Sequence, residues 1–312
     1  MWAMRRLVAR EPLDLVFFPA VYTYYPVGGR VPCVVTIHDV IPEKLPQMVF
    51  ENRQSRFLWN VKVRAALRRS SRIATVSEAS KNGLMKQFGL SADQIRLISE
   101  APSRHFHPVT TASEQHREIL ERYELCSSEK FFIYVGGLSP HKNIDTLIHA
   151  FAQVKKRTPC PMGLLLVGDY KGDVFRTCYA DLCELIASLG ISDSVSFPGY
   201  VPDEHLPHLF VASRAFVFPS FLEGFGLPVV EAMACGAAVI ATDRGSLPEV
   251  VGDAGHLFDP CDVGSLADAM SRVAVDDAYC RDLRARSLSR VRKFSWEKSA
   301  EQAVSIFHEF KI

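Results

Sequence analysis

Short apolar, β-rich runs alternate with longer amphipathic stretches along the chain, and the alternation comes in two series. In the first, Leu15–Phe18, Cys33–Ile37, Arg72–Val76 and Ile95–Ile98 predict strands. Val49–Arg69 and Glu78–Phe88 predict helices between them, the second with Ser77 as its N-cap. In the second series, strands are expected at Phe131–Val135, Gly163–Val167, Val195–Phe197, Ala215–Phe218 and Ala238–Ala241. Helices are expected at Asn143–Arg157, Val174–Leu189, Glu204–Ala212 and Pro228–Cys235, and three more close the chain: Val263–Val275, Ala278–Lys293 and Trp296–Phe310. Such alternation implies an α/β class with parallel sheets covered by crossover helices. Between the series, Glu100–Ser113 carries two prolines and no period, and reads as a linker. The expected domains are therefore 1–107 and 108–293, with a last helix in 294–312 that can return to the first domain. Two such units would enclose a cleft, and ligands in such sheets bind beyond the carboxyl ends of the strands.

Composition narrows the class further. The net charge of +1 over 312 residues points to no polyanionic partner. The first 72 residues hold 12 Lys and Arg against 5 Asp and Glu, a local excess of basic charge. Eight cysteines stand without Cys-x-x-Cys or zinc spacing and read as small buried hydrophobes in a reducing compartment. No apolar run reaches the roughly 20 residues of a membrane-spanning helix, and "LVFF" is too short for a signal sequence. A cytoplasmic protein is expected.

Three strand ends carry the chemistry. In "FVFPSFLEGFGLPVVEAMACGAAVIATDRGSLPEVV" a strand runs into a glycine-containing loop, and Pro228 stands where a helix begins. The amides of Gly226, Leu227 and the next turn would form an anion site at the helix N-terminus. Glu223 and Glu231 flank it, and carboxylates there suit sugar hydroxyls on either side of a phosphate. A turn residue and a solvated helix residue are the alternative. In "FFIYVGGLSPHKNIDTLIHAF", Gly136 and Gly137 turn the chain before Lys142, a cation that would balance a leaving diphosphate; a surface lysine is the alternative. His141 would add charge if protonated. In "PCVVTIHDVIP", His38 and Asp39 follow a strand, as a second wall of a cleft or as a packed His and a capping Asp. The basic stretch "RQSRFLWNVKVRAALRRSSR" could face anionic lipid or a phosphorylated acceptor, but reads better as a core-packed helix with a solvated basic face. A phosphate-binding P-loop, a dinucleotide fingerprint and a G-x-S-x-G elbow are all missing, which argues against NTPase, dehydrogenase and serine-hydrolase chemistry.

The run from Glu223 to Glu231 resembles the Glu-x7-Glu signature of glycosyltransferase family 4, the retaining enzymes of GT-B fold. "YVGGLSPHKNIDTLIHAF" resembles that family's phosphate-binding strand–loop–helix, and "TIHDVIP" its N-domain His-Asp element. "VSEASK" and "FSWEKSAEQ" fit its layout. The resemblance implies two Rossmann-like domains facing a cleft. It implies that Glu223 binds the donor hexose, Glu231 the ribose, and the backbone of Phe225, Gly226 and Leu227 the sugar and phosphate. Lys142, with Gly136, Gly137 and His141 around it, would stabilise the leaving diphosphate, and His38 would touch the transferred sugar. Anomeric configuration would be retained by front-face attack, without a metal or other cofactor. Two departures stand out. The arginine usual at the place of Gly137 or His141 is missing. The first strand already resembles the middle of the family's N-domain sheet, so the N-terminal domain is expected to lack its opening strand–helix unit and to expose apolar surface there.

These features imply a hexosyltransferase that resembles bacterial mannosyltransferases of surface-polysaccharide assembly. The expected donor is GDP-mannose, then UDP-glucose, and the acceptor is a carbohydrate or lipid-linked carbohydrate, with peripheral contact at the inner face of the cell membrane. A nucleotide-sugar-binding protein without turnover and a nucleotide-sugar epimerase are the rival readings.

Overall fold

The computed structural model describes residues 8, 11–28, 31–125, 130–158, 161–170 and 177–310. The chain divides into two compact units, Met1–Glu100 with Ser295–Ile312, and Ala101–Phe294.

In the first unit, β1 (Val16–Phe18), β2 (Cys33–Thr36), β3 (Arg72–Thr75) and β4 (Ile95–Leu97) form a parallel sheet in the order β1-β2-β3-β4. Helix α1 (Arg53–Arg69) crosses from β2 to β3, and α2 (Glu78–Phe88) from β3 to β4. Local chemistry sets their ends. The Asn52 side chain accepts from Ser55 N at 2.8 Å and starts α1. Ser77 Oγ accepts from Ser80 N at 3.0 Å and starts α2, which Gly89 ends in a left-handed conformation. The helix expected from Val49 thus begins at Arg53; Pro46–Val49 forms a separate turn in front of it.

Alternation along β2 divides the sheet's two faces. Cys33, Val35 and Ile37 join Phe18, Val63, Ala66, Ile73, Leu84 and Ile95 in one core. Val34 and Ala74 face a second cluster with Ile306, Phe307 and Phe310, from the last helix and the residues after it. Polar links secure that closing segment. Gln302 Oε1 accepts from Ser99 N at 2.9 Å. Glu309 pairs with Arg72 Nε at 2.6 Å and with Arg96 Nε at 2.5 Å.

Among the described residues the second unit opens with α3 (Glu114–Arg122) and holds six strands: β5 (Lys130–Val135), β6 (Met162–Val167), β7 (Val195–Gly199), β8 (Ala215–Phe218), β9 (Val239–Thr242) and β10 (His256–Phe258). All pairings are parallel, in the order β10-β9-β8-β5-β6-β7. The strands are followed in turn by α4 (Ile144–Arg157), α5 (Tyr179–Ser188), α6 (Leu206–Ala212), α7 (Leu227–Ala234), α8 (Leu247–Val251) and α9 (Val263–Val275). Then come α10 (Asp277–Val291) and, in the first unit, α11 (Trp296–His308). Every residue of β8 and β9 is buried, as strands covered on both faces require. From β5 the chain winds outward through β6 and β7, then returns to β5's other side at β8. The sheet therefore has its switch point between β5 and β8. Sequence reasoning missed α3, α8 and β10. Part of the expected Val174–Leu189 helix lies outside the described residues, and α5 is seen from Tyr179.

The cysteines only partly follow expectation. Cys33, Cys235 and Cys280 are buried, Cys178 and Cys183 are half-buried, and Cys261 is exposed. Burial pushes the Cys33 thiol up to about 11 and that of Cys235 up to about 12, which keeps both unreactive. Cys126 and Cys160 lie outside the described residues. No helix among the described residues is long and apolar enough to cross a membrane.

Candidate functional site

The loops that leave β5 and β8 at the switch point carry most of the sequence-predicted residues, and the structure ties the two loops together. After β5 the chain passes through Gly136 and Gly137 into a single helical turn, Pro140–Lys142, before α4. Asn143 lies between turn and helix at φ +57°, a conformation rare for a side-chain-bearing residue. Its side chain makes three bonds there. Nδ2 donates to Pro219 O at 3.0 Å and Pro260 O at 2.9 Å, and Oδ1 accepts from Thr146 Oγ1 at 2.8 Å. Phe221 N adds a bond to His141 O at 3.0 Å. Asn143 thus staples the first loop to the second.

This staple brings Lys142 to Glu223, 81 positions away, with Nζ 2.7 Å from Oε1. The two side chains are 18% and 10% exposed, so the pair is largely withdrawn from water. The ammonium also lies 5.4 Å from the centroid of the Phe218 ring, a favourable cation–π distance. His141, beside them, has Nδ1 3.2 Å from Ser139 Oγ. Burial, reinforced by the Lys142 charge and opposed by Glu223, pushes its pKa down to about 4. His141 is neutral at pH 7 in this setting, so it does not supply the second cation that the sequence allowed for.

The second loop is held from beneath. Ser246, fully buried, has Oγ 2.9 Å from Phe225 O and 3.2 Å from Glu223 O, and its N donates to Glu223 O at 3.3 Å. Thr242 Oγ1 donates to Ser220 O at 2.8 Å. Gly226 caps α7 at φ +95°, and a side chain there would meet Leu247 Cδ2 at 2.7 Å. Among the described residues no acceptor is bonded to the amides of Phe225, Gly226 or Leu227. A helix start with open amides is an anion site. Glu231 follows about one turn further, half-buried on α7.

Gly136 is a partial correction. Its amide donates to Val167 O at 3.0 Å and extends the sheet, so it offers no N–H to a phosphate. Gly137 is held by Tyr134, whose hydroxyl donates to Gly137 O at 2.7 Å. His38 lies in the other unit, at the end of β2, with Nε2 3.7 Å from Glu100 Oε1, and burial lowers its pKa. Asp39 accepts from Ile41 N at 2.8 Å, a local bond that turns the chain after β2. Sequence reasoning overlooked Asn143, Thr242 and Ser246, although all three lie in stretches it had singled out. Among the described residues no group of three or more His, Cys, Asp or Glu could hold a metal ion.

Two parallel α/β units, the second with a cation, carboxylates and open amides at its switch point, define a glycosyltransferase of GT-B fold. Sucrose-phosphate synthase from Thermosynechococcus elongatus shares that fold at TM-score 0.79 and 25% identity, over 99% of this chain and 76% of that one. The chain belongs to the family described as glycosyl transferases group 1, which matches residues 115–290, and residues 1–101 match Glycosyltransferase Family 4. O-antigen chain mannosyltransferase B of Escherichia coli is 33% identical over 275 residues, which is 88% of this chain and 69% of that protein. The serotype-specific mannosyltransferase WbdA of Escherichia coli is 30% identical over 279 residues, which is 88% of this chain and 33% of that protein.

Proposed function

We propose that this glycosyltransferase moves mannose from GDP-mannose to a carbohydrate or lipid-linked carbohydrate acceptor, with retention and without a metal, in the assembly of a surface polysaccharide or glycoconjugate. The observation that carries this reading is the Lys142–Glu223 pair beside the open amides of the α7 start. Donor entry is an exchange of partners. The diphosphate takes Lys142 and the amides of Phe225–Leu227, and hydroxyls of the hexose donate to the carboxylate that Lys142 releases. Glu231 takes the ribose hydroxyls. As the bond to the anomeric carbon breaks, charge grows on the diphosphate, where Lys142 acts most strongly. The family resemblance assigns His38 to the transferred sugar. The mannosyltransferase relatives support mannose, with UDP-glucose second. The enzyme works on the cytoplasmic side, with peripheral contact at the inner face of the cell membrane.

The test incubates the chain with GDP-mannose or UDP-glucose and a short mannose-terminated acceptor, with and without a chelator. Transfer from GDP-mannose that keeps the donor's anomeric configuration and survives the chelator is expected. Loss of product on chelation would overturn the metal-free mechanism. Protection from heat by the donor with no product on any acceptor would make the chain a binding protein, and an epimer formed from donor alone would make it an epimerase.

A further inference from the structure

Helix α1 packs against the core of the first unit through one face, with Trp59, Ala65 and Leu67 beside the buried Val63 and Ala66. Only Val63 and Ala66 of its 17 residues are fully buried. Phe57, Leu58 and Val61 are 64%, 59% and 51% exposed, among the most exposed large apolar residues described. The inner face packs on the core as the sequence suggests, but the outer face is apolar as well as basic.

The spacing makes it a surface. Arg53, Phe57, Val61, Arg64 and Arg68 follow steps of three and four residues, which align them along one side of a helix. All five are exposed, with Leu58 and Arg56 exposed at its flanks. The helix holds six cations and no carboxylate. Two of the cations turn to the protein's own backbone, Lys62 donating to Tyr22 O and Arg69 Nη2 to Val31 O at 2.7 Å. Arg53, Arg56, Arg64 and Arg68 have no carboxylate partner among the described residues. The partner must therefore be anionic and must also shelter the exposed apolar side chains of the same helix face. A second copy of the same face would bring cations against cations. Nucleic acid answers the arginines but gives leucine and valine nothing to bury against. An anionic bilayer answers both needs, with phosphates for guanidinium groups and an acyl boundary for Phe57, Leu58 and Val61.

We infer that the outer stripe of α1 docks the first unit on anionic phospholipid. Its arginines engage headgroup phosphates, and Phe57, Leu58 and Val61 enter the boundary between headgroups and acyl chains. This deepens the peripheral contact proposed above by naming the surface and its partner. Transfer to a soluble acceptor is measured separately, so the two readings can fail independently.

The experiment is co-sedimentation of the full chain with vesicles of phosphatidylcholine alone or with 30 mol% phosphatidylglycerol, roughly the anionic fraction at which basic segments bind. Binding to the anionic vesicles only, weakened by salt, is expected. Two variants divide the surface: Phe57→Ser with Leu58→Ser and Val61→Ser, and Arg53, Arg56, Arg64 and Arg68 each →Gln. Their side chains are exposed, so parent-like melting is expected of both. Each lost arginine should weaken binding roughly fivefold, and the quadruple change at least about 100-fold. A separate Phe57→Trp variant should shift its emission to the blue on anionic vesicles as the ring leaves water. Equal binding to both vesicle types, parent-like binding by either multiple variant, or unshifted emission from the Phe57→Trp variant would overturn the assignment. So would tighter binding to a nucleic acid than to the anionic vesicles.

Discussion

Lys142 and Glu223 neutralise one another in a setting with little water, and this inverts the simplest expectation for the glutamate. A carboxylate that only held the hexose would leave nucleotide diphosphate affinity unchanged when removed. Here its removal also frees Lys142 and takes a negative charge away from the phosphate site. Glu223→Gln should therefore bind nucleotide diphosphate about 3- to 10-fold more tightly while losing transfer activity, given the roughly 1 kcal/mol scale of such pairs. Calorimetry with the diphosphate and an assay with the donor measure the two halves, and weaker diphosphate binding would remove the pair from the proposed site. Lys142→Ala should lower turnover more than donor affinity, since its charge matters most as the leaving group forms. His141 yields a pH prediction. Its pKa is about 4 in the fold against an ordinary value near 6.5. Between those values the unfolded chain binds a proton that the folded chain refuses, so stability falls as pH drops from about 6.5 to 4, by about 3 kcal/mol in all. His141→Gln should flatten the melting temperature over that window, and an unchanged slope would show that other groups govern it. Each of these residue types was legible at a strand end. Their pairing was not, because contact across 81 positions is set by sheet order and not by any local pattern.

At the scale of elements, the loop after β8 keeps its shape because the loop after β9 grips it. Gly245 stands at φ +61°, and a side chain there would come within 2.6 Å of Glu223 O and 2.9 Å of Glu223 N, both rigid backbone atoms. Gly245→Ala should therefore displace Glu223 and destabilise the second unit. Ser246→Ala leaves the backbone room but removes the hydroxyl bond beneath Phe225, at a cost of about 1–3 kcal/mol. Both should weaken donor binding although neither residue is proposed to touch donor, and heat denaturation beside donor titration separates the two effects. Parent-like donor binding in Gly245→Ala would show that the grip is not needed. The long periodic helices and the buried strands of both sheets were readable from the sequence. Helix α3 was not: "EQHREILER" is mostly charged, with only His116, Ile119 and Leu120 buried. Strand β10 spans three residues and offers no period. The outer stripe on α1 was legible only as the second of two readings, since apolar residues at helical spacing ordinarily mean core.

At the scale of the molecule, the first unit is assembled from both ends of the chain. Residues 295–312 supply Ile306, Phe307 and Phe310 to one face of its sheet, and Glu309 bridges Arg72 and Arg96 on β3 and β4. Deleting 295–312 should uncover Val34, Ala74 and Phe17, destabilise the first unit and promote aggregation. The second unit holds its own strands and core, so nucleotide binding there should survive. Limited proteolysis of the shortened chain, with and without nucleotide diphosphate, tests both halves, and a first unit as protease-resistant as the parent's would refute the dependence.

The same arrangement has a consequence for the order in which the molecule is made. When Glu100 leaves the ribosome, the strands of the first unit exist but the helix that covers one face does not. The intervening 194 residues, 101–294, must be translated first. At roughly 5–20 residues per second this takes about 10–40 s. For that interval the nascent chain carries an open hydrophobic sheet, while the second unit, though later in sequence, can close as soon as Phe294 has emerged. Of the two units, the one synthesised earlier thus finishes folding later, and its dependence on chaperones should exceed that of the unit behind it.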